Sequence, residues 1–477
     1  MRIVVLIITL GWVSTFCTPT AEEVSEPAVK MEVVLEPEVA AGKDLFEANC
    51  SGCHGVKVQA FADQRWKHGN SPEEIAATIK EGRAEGAMPS FAAMLDSVAI
   101  ENLVAYIQYG INQVGEYDFE EEFDYDTIHS HLGQTFTLEL VTEAAEVPWG
   151  MAFLPTGALL VTDRNGKIFK IEGQEAVELK NVPEVNSKNQ GGMLDIVLDP
   201  AFDSNQFIYV SYSKVHPEDA ELTTTAVSRY ILSEDGLEEA VEIFEATPYE
   251  STNHHFGSRL VFGDDGYLYI TVGDRGKRDD NPQDLTRSPG KVHRIKSDGT
   301  IPEDNPFVAN PDAVASIYSY GHRNPQGMIK DPATGNMWAH EHGPRGGDEI
   351  NEIVAGNNYG WPVISYGINY NGTVFTTETE REGMEQPKHY WVPSIGPSGM
   401  AYVTSERYPN WKNHLLSGSL KYGFVSVMPL RGGSLGDETR LLEGVGRTRS
   451  IVQSPDGYLY IGLERPGRIY KIVPVSE

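Results

Sequence analysis

The sequence predicts a multidomain chain of two unlike parts, a small all-α domain followed by an all-β six-bladed propeller. Three observations carry this prediction. Residues 39–112 hold apolar residues at helical spacing around one C-x-x-C-H cluster. From residue 134 the helical periodicity fades, and short runs rich in β-branched and aromatic residues follow Gly turns. The first and last of these runs are visibly related. Leu154-Pro-Thr-Gly-Ala-Leu-Leu-Val leads to Gly166-Lys-Ile-Phe-Lys-Ile, and Ser454-Pro-Asp-Gly-Tyr-Leu-Tyr-Ile leads to Gly467-Arg-Ile-Tyr-Lys-Ile. Degenerate strand–turn–strand repeats pack radially as blades, and about 340 residues at roughly 50–60 per blade give about six.

Taken in order, residues 1–16 join Arg2 to an apolar run too short to span a bilayer comfortably, and read as a signal peptide. Ser14-Thr15-Phe16-Cys17 suggests lipoprotein processing with Cys17 lipidated. Cleavage near Ala21 and an uncleaved anchor are the other readings. All three place the mature protein outside the cytoplasm, periplasmic or exported, and lipidation would add a membrane anchor. Residues 17–38, rich in Glu, Pro, Thr and Val, read as a solvated acidic tether.

Residues 39–113 form the α domain. Ala41 to Ala48 is helix-like, Ser71 caps a helix opened by Pro72, and Leu103, Val104 and Ile107 mark a third helix. The first helix runs into Cys50-Ser51-Gly52-Cys53-His54, the attachment signature of a c-type haem. The thiols of Cys50 and Cys53 add to the two vinyl groups, and His54 becomes an axial iron ligand. A zinc site would need two further soft ligands nearby. Gly86-Ala87-Met88-Pro89 offers Met88 as the second ligand, with Met94 and His68 in reserve. Methionine opposite histidine raises the potential and suits electron transfer. The segment resembles a monohaem class I cytochrome c.

Residues 114–133 read as an acidic linker. Within 114–127 lie seven acids and four aromatics, expected to be solvated or, as a second reading, to dock a basic redox partner. Residues 134–477 are the propeller. The net charge of −31, from 69 acids against 38 bases, argues against nucleic acid as a partner.

A propeller gathers its ligand site on the axis, beside the inner strands. Five polar clusters fall at such places: Asn253 to Arg259 with His254 and His255, Gly321 to Gly327 with Arg323 and Asn324, Glu341 to Glu349, Ser419 to Gly423, and Gly446 to Arg449. A histidine there suits a general base. The Gly343-Pro344 turn exposes carbonyl oxygens with acids close behind, which is calcium chemistry. His340 and His342, two apart and with no third ligand, make a poor zinc site. Arg323, Lys421, Arg447 and Arg449 converge as fixed cations in a very acidic protein. A small tricarboxylate with calcium beside it describes pyrroloquinoline quinone (PQQ).

Residues 134–475 resemble the soluble PQQ-dependent aldose sugar dehydrogenases of the glucose/sorbosone dehydrogenase family. The likeness rests on H-H-F-G-S-R, G-H-R-N-P-Q-G, E-H-G-P-R-G-G-D-E-I-N, N-Y-G-W-P and the closing R-T-R, in family order. It implies His255 as proton acceptor and Arg323 as stabiliser of negative charge on the quinone oxygen. It implies PQQ contacts from Gln190, Arg323, Asn324, Tyr370, Lys421, Arg447 and Arg449. The Gly343 and Pro344 carbonyls would hold the PQQ calcium, and Glu349 with the Tyr359 carbonyl a second calcium. His254 stands where some members carry Asp. The implied reaction oxidises an aldose at the anomeric carbon to a lactone. Electrons then pass from reduced PQQ to the fused haem, and on to a downstream cytochrome or terminal oxidase. A calcium-dependent propeller lactonase, or a non-catalytic propeller serving the cytochrome, are the rival readings.

Overall fold

The computed structural model describes residues 34–83, 88–119 and 122–475. The signal peptide, Cys17, and Gly86-Ala87 lie outside the described residues. The first part is helical: α1 (Pro37–Asn49), α2 (Ser51–His54), α3 (Val58–Ala62), α4 (Pro72–Glu81) and α5 (Ser97–Gly115). Local chemistry sets the ends. Ser71 and Glu74 form a reciprocal capping box at α4, with Pro72 at its first position. Asp96 accepts the Ala99 N–H at 2.8 Å to start α5. Phe46, Val58, Ile79, Leu103 and Ile107 close a core between these helices. Burying each such side chain contributes about 1.5–3 kcal/mol.

Six antiparallel sheets follow. Their inner strands are Pro148–Phe153, Met193–Leu198, Leu260–Phe262, Pro325–Lys330, Pro397–Tyr402 and Arg447–Gln453, and they neighbour one another in a closed ring. The protein is therefore a six-bladed β-propeller preceded by a small helical domain. The last blade takes strands from both ends: Gln134–Thr142 lies beside Arg468–Pro474, with Phe136 opposite Pro474. Sheet closure of this kind leaves no free seam at the junction. Strand Leu159–Asp163 is buried along its whole length, polar Thr162 and Asp163 included, because both of its faces are covered by neighbouring blades.

The linker behaves differently from the solvated run expected of it. Tyr117 stacks on Tyr422 with ring centroids 4.6 Å apart, and Phe119 meets Phe424 edge-on at 6.4 Å. Phe123 and Tyr125 pack on the core of the last blade, and the Tyr125 hydroxyl donates to the Val445 carbonyl at 2.7 Å. The four aromatics have outweighed the charge: the segment is a strap with its rings inward. Among the described residues no helix is long and apolar enough to cross a membrane.

Candidate active site

His255 lies in the loop before the inner strand of the third blade, with φ of +56°. Left-handed backbone is uncommon for a side-chain-bearing residue, and such strain gathers at functional sites. Two contacts hold it. Its N–H donates to Gln190 Oε1 at 2.8 Å, and its Nδ1 lies 2.7 Å from Asp274 Oδ1. Asp274 is itself fixed by the Trp361 indole N–H at 2.8 Å and the Gly276 N–H at 2.7 Å. Burial, reinforced by Arg323, pushes the His255 imidazole down to about 4, against the opposing pull of Asp274. Its ring is neutral at physiological pH. His254 is not on the opposite face of a strand, as simple alternation would have it. Both residues are in the loop, their rings 4.6 Å apart, and both line the same cleft.

That cleft has a volume of about 520 Å³, in the range of small-molecule sites. Gln190, His255, Arg323, Pro344 and Tyr370, all singled out from the sequence, line it. Arg323 is 5% exposed, donates to the His342 carbonyl at 2.9 Å and faces the Trp361 ring at 5.4 Å. Asn324 Oδ1 accepts the Gly257 N–H, while its buried Nδ2 has no partner. An orphan donor beside the cleft is what a cofactor carbonyl would satisfy. Tyr370 stands at the rim, 67% exposed.

The other cations have partners. Arg447 and Arg449 both pair with Glu464, at 2.7 and 2.9 Å. Their guanidinium groups hold that carboxyl down to about 2, although burial opposes them. Arg449 also donates to Gln326 Oε1 and Ser398 Oγ. Lys421 forms an ion pair with Asp63 of the helical domain. The cationic cradle expected from sequence is thus partly neutralised, and none of these three residues lines the cleft that holds His255.

The acidic cluster fits a cation. Glu341 and Glu349 are directly opposed across neighbouring strands, where like charges repel. Burial and the Glu341 carboxylate push the Glu349 carboxyl up to about 8, although its side chain keeps some exposure. Tyr359 reaches the cluster through His322, on which its ring stacks at 4.6 Å and which bonds Glu341 at 2.9 Å. Asp348 accepts the Gly343 N–H at 2.7 Å and the Ser394 hydroxyl, fixing the Gly343-Pro344 turn. Among the described residues no three His, Cys, Asp or Glu side chains converge as a metal set. A cation here would rest on backbone carbonyls as well.

In the helical domain Cys50 and Cys53 are free thiols beside His54, whose imidazole burial keeps neutral. The His54 ring lies 4.6 Å from Phe61. Met88 is tied to Arg83 by two backbone hydrogen bonds, at 2.8 and 3.1 Å, and packs on the helical core. Met94 is 70% exposed, and His68 is also on the surface. Paired thiols, a neutral imidazole and a core thioether fit a covalently attached haem.

Sequence reasoning passed over Asp274, Trp361 and Glu464. Asp274 follows a β run and sits in Gly273-Asp274-Arg275-Gly276, an acid at a strand end framed by glycines. That pattern was available as a signal. Trp361 was in view within Asn-Tyr-Gly-Trp-Pro, with no role given to it. Nothing near Glu464 in sequence announces its two arginines.

Fold and site together define an oxidoreductase of the propeller quinoprotein class, joined to a cytochrome c. The chain belongs to the glucose/sorbosone dehydrogenase family, whose profile, Glucose / Sorbosone dehydrogenase, matches residues 145–471. Residues 37–107 match a second profile, Cytochrome C oxidase, cbb3-type, subunit III. Aldose sugar dehydrogenase YliI of Escherichia coli K12 is 40% identical over 351 residues, spanning 71% of this chain and 93% of that protein. Quinoprotein glucose dehydrogenase B of Acinetobacter calcoaceticus is 28% identical, over 71% of this chain and 87% of that protein. The apo crystal structure of the soluble E. coli aldose sugar dehydrogenase superposes with a TM-score of 0.68 at 39% identity, covering 71% of this chain and all of that one. A PQQ-bound aldose sugar dehydrogenase from Streptomyces coelicolor gives 0.59 at 27%, over 71% and 98%.

Proposed function

We propose that this protein is a PQQ-dependent aldose dehydrogenase that oxidises a sugar at its anomeric carbon to the lactone. In this reading electrons pass on to the attached haem and then to an external acceptor. The observation that carries it is the His255–Asp274 pair set in one cleft with Arg323. Nδ1–H directed at Asp274 leaves His255 Nε2 with a free lone pair, able to take the anomeric hydroxyl proton. A base so placed contributes roughly 10²–10⁴-fold. Arg323, fixed by the His342 carbonyl, presents its charge where negative charge would develop. Gln190 and Asn324 offer amide groups to the cofactor, and Trp361 keeps Asp274 oriented toward the imidazole. PQQ, when bound, supplies the two-electron acceptor for the hydride. Lys421, Arg447, Arg449 and Tyr370 remain, by resemblance, its further contacts. Calcium at Gly343-Pro344, and a second ion at Glu349 and Tyr359, complete the set.

The N-terminal residues support export to the periplasm or beyond, with Cys17 as the anchor point of a lipoprotein. The test is reconstitution with PQQ and calcium against a panel of aldoses, following dye reduction, lactone formation and the haem spectrum. Dye reduction that needs both PQQ and an aldose is the expected result. Lactone hydrolysis without any redox change would overturn the reading.

A further inference from the structure

One wall of the cleft is also the seat of the haem-bearing segment. Gly55, next to His54, has φ of +80°, and a methyl group added there would meet Ile368 at 2.5 Å. One added at Gly346, φ +79°, would lie 3.3 Å from the Ala60 Cβ. Each glycine leaves room for a side chain of the other segment, Ile368 against Gly55 and Ala60 against Gly346. Ile368 is tied to Arg345 by two backbone hydrogen bonds, at 2.9 and 3.0 Å. Pro344 on one side of this bridge, and Asn369 and Tyr370 on the other, line the cleft. Two polar contacts flank it. Lys57 donates to Tyr390 Oη at 3.1 Å and sits over the Tyr366 and Tyr390 rings, which stack face to face at 3.8 Å. Asp63, just past α3, pairs with Lys421, the cation that resemblance assigns to the cofactor.

We propose that Gly55–Asp63 is the electron-exit contact of the cleft, with Lys57 and Asp63 as positioning residues that hold the haem attachment site against the Arg345–Ile368 bridge. This rests on the reading under Proposed function. The strap at 117–125 keeps the helical domain close and raises its effective concentration, but a tether alone does not fix which edge faces the cleft. The two flanking contacts do. Each sugar oxidised to lactone releases two electrons and two protons. The electrons cross this contact singly, each reducing ferric iron to ferrous, and an external one-electron acceptor removes one before the next arrives. His255 would pass one proton, from the anomeric hydroxyl, to solvent, and the second would leave the reduced cofactor as its electrons are drawn off.

The test uses the full-length holoprotein and its Lys57→Glu/Asp63→Asn double variant. Reversing Lys57 puts an acid over two ring faces, and Asp63→Asn removes the ion pair. Three quantities are read: haem reduction by sugar in stopped flow, sugar-to-dye turnover, and hydrogen exchange at residues 345–347 and 366–370. Haem reduction should slow by about tenfold or more, with dye turnover unchanged and exchange at both segments faster. Full-speed haem reduction in the double variant, or unaltered exchange, overturns the proposal. If the parent oxidises no sugar with dye, the dehydrogenase reading fails instead. The exchange arm then still decides whether this contact is latched by Lys57 and Asp63.

Discussion

His255 carries an imidazole that burial and the Arg323 charge keep unprotonated down to about pH 4. The groups facing it are Asp274, Arg323 and His254; burial is the largest influence and, with Arg323 and His254, overcomes the opposing pull of Asp274. A base must be neutral to accept a proton, so activity should be flat through neutral pH and fall only as pH drops toward about 4. An unshifted histidine would instead lose activity near 6.5. A pH–rate profile of kcat/KM with dye as acceptor distinguishes the two. His255→Ala should retain PQQ binding and lose roughly 10²–10⁴-fold in turnover. Asp274→Asn should lose about 10–100-fold, since it removes the partner that orients the ring rather than the ring itself. Single-turnover reduction of bound cofactor checks both. At this scale the sequence named His255 but not its orienting acid. Asp274 lies 19 residues away, and only the sheet's return path brings the two within 2.7 Å.

At the scale of elements, two segments invite direct tests. The Met88 backbone is held by two bonds to Arg83, so Met88→Ala should keep that backbone in place while removing the thioether. The haem potential should fall, and the iron–sulfur band at the red end of the oxidised spectrum should disappear. A spectrum identical to the parent's would point the ligand assignment elsewhere. The calcium sites proposed above make a second case. Opposed Glu341 and Glu349 cost stability without a cation between them, so chelation should lower Tm and added calcium restore it. Glu349→Gln should blunt that response, as differential scanning calorimetry would show. The helices, the haem motif and the blade repeats were legible because each rests on spacing within a short window. The aromatic strap was not. Its acids are plainer in sequence than the partners of its rings, which lie about 300 residues further on, at Tyr422, Phe424 and Val445. Glu464 between its arginines was hidden for a related reason: the register of two adjacent strands, not any motif, sets Arg447 opposite it.

For the molecule as a whole, pH should act on stability through buried histidines. Burial holds His255 at about 4, His340 at about 4 and His293 at about 3. His340 bonds the Gly399 carbonyl, and His293 bonds Ser316 and the Ser288 carbonyl, with Lys291 close by. In the unfolded chain each would titrate near 6.5, so below that value the unfolded state binds more protons. The folded-state advantage is complete above about 6.5 and is lost as pH falls through about 4 and then 3. Tm should drop by about 5–10 °C between pH 7 and pH 5, measured by calorimetry with calcium held constant.

The closing of the last blade also orders the protein's making. Strand Gln134–Thr142 pairs on one side with the adjacent His129–His131 and on the other with Arg468–Pro474, far along the sequence. The helical domain, whose core contacts are local, can fold early, whereas the ring cannot shut until Arg468–Pro474 has been made. For most of its synthesis the early domain therefore waits beside an open ring. A chain cut short before Arg468 would leave a finished cytochrome domain hanging from a ring that cannot close, an easy substrate for proteases.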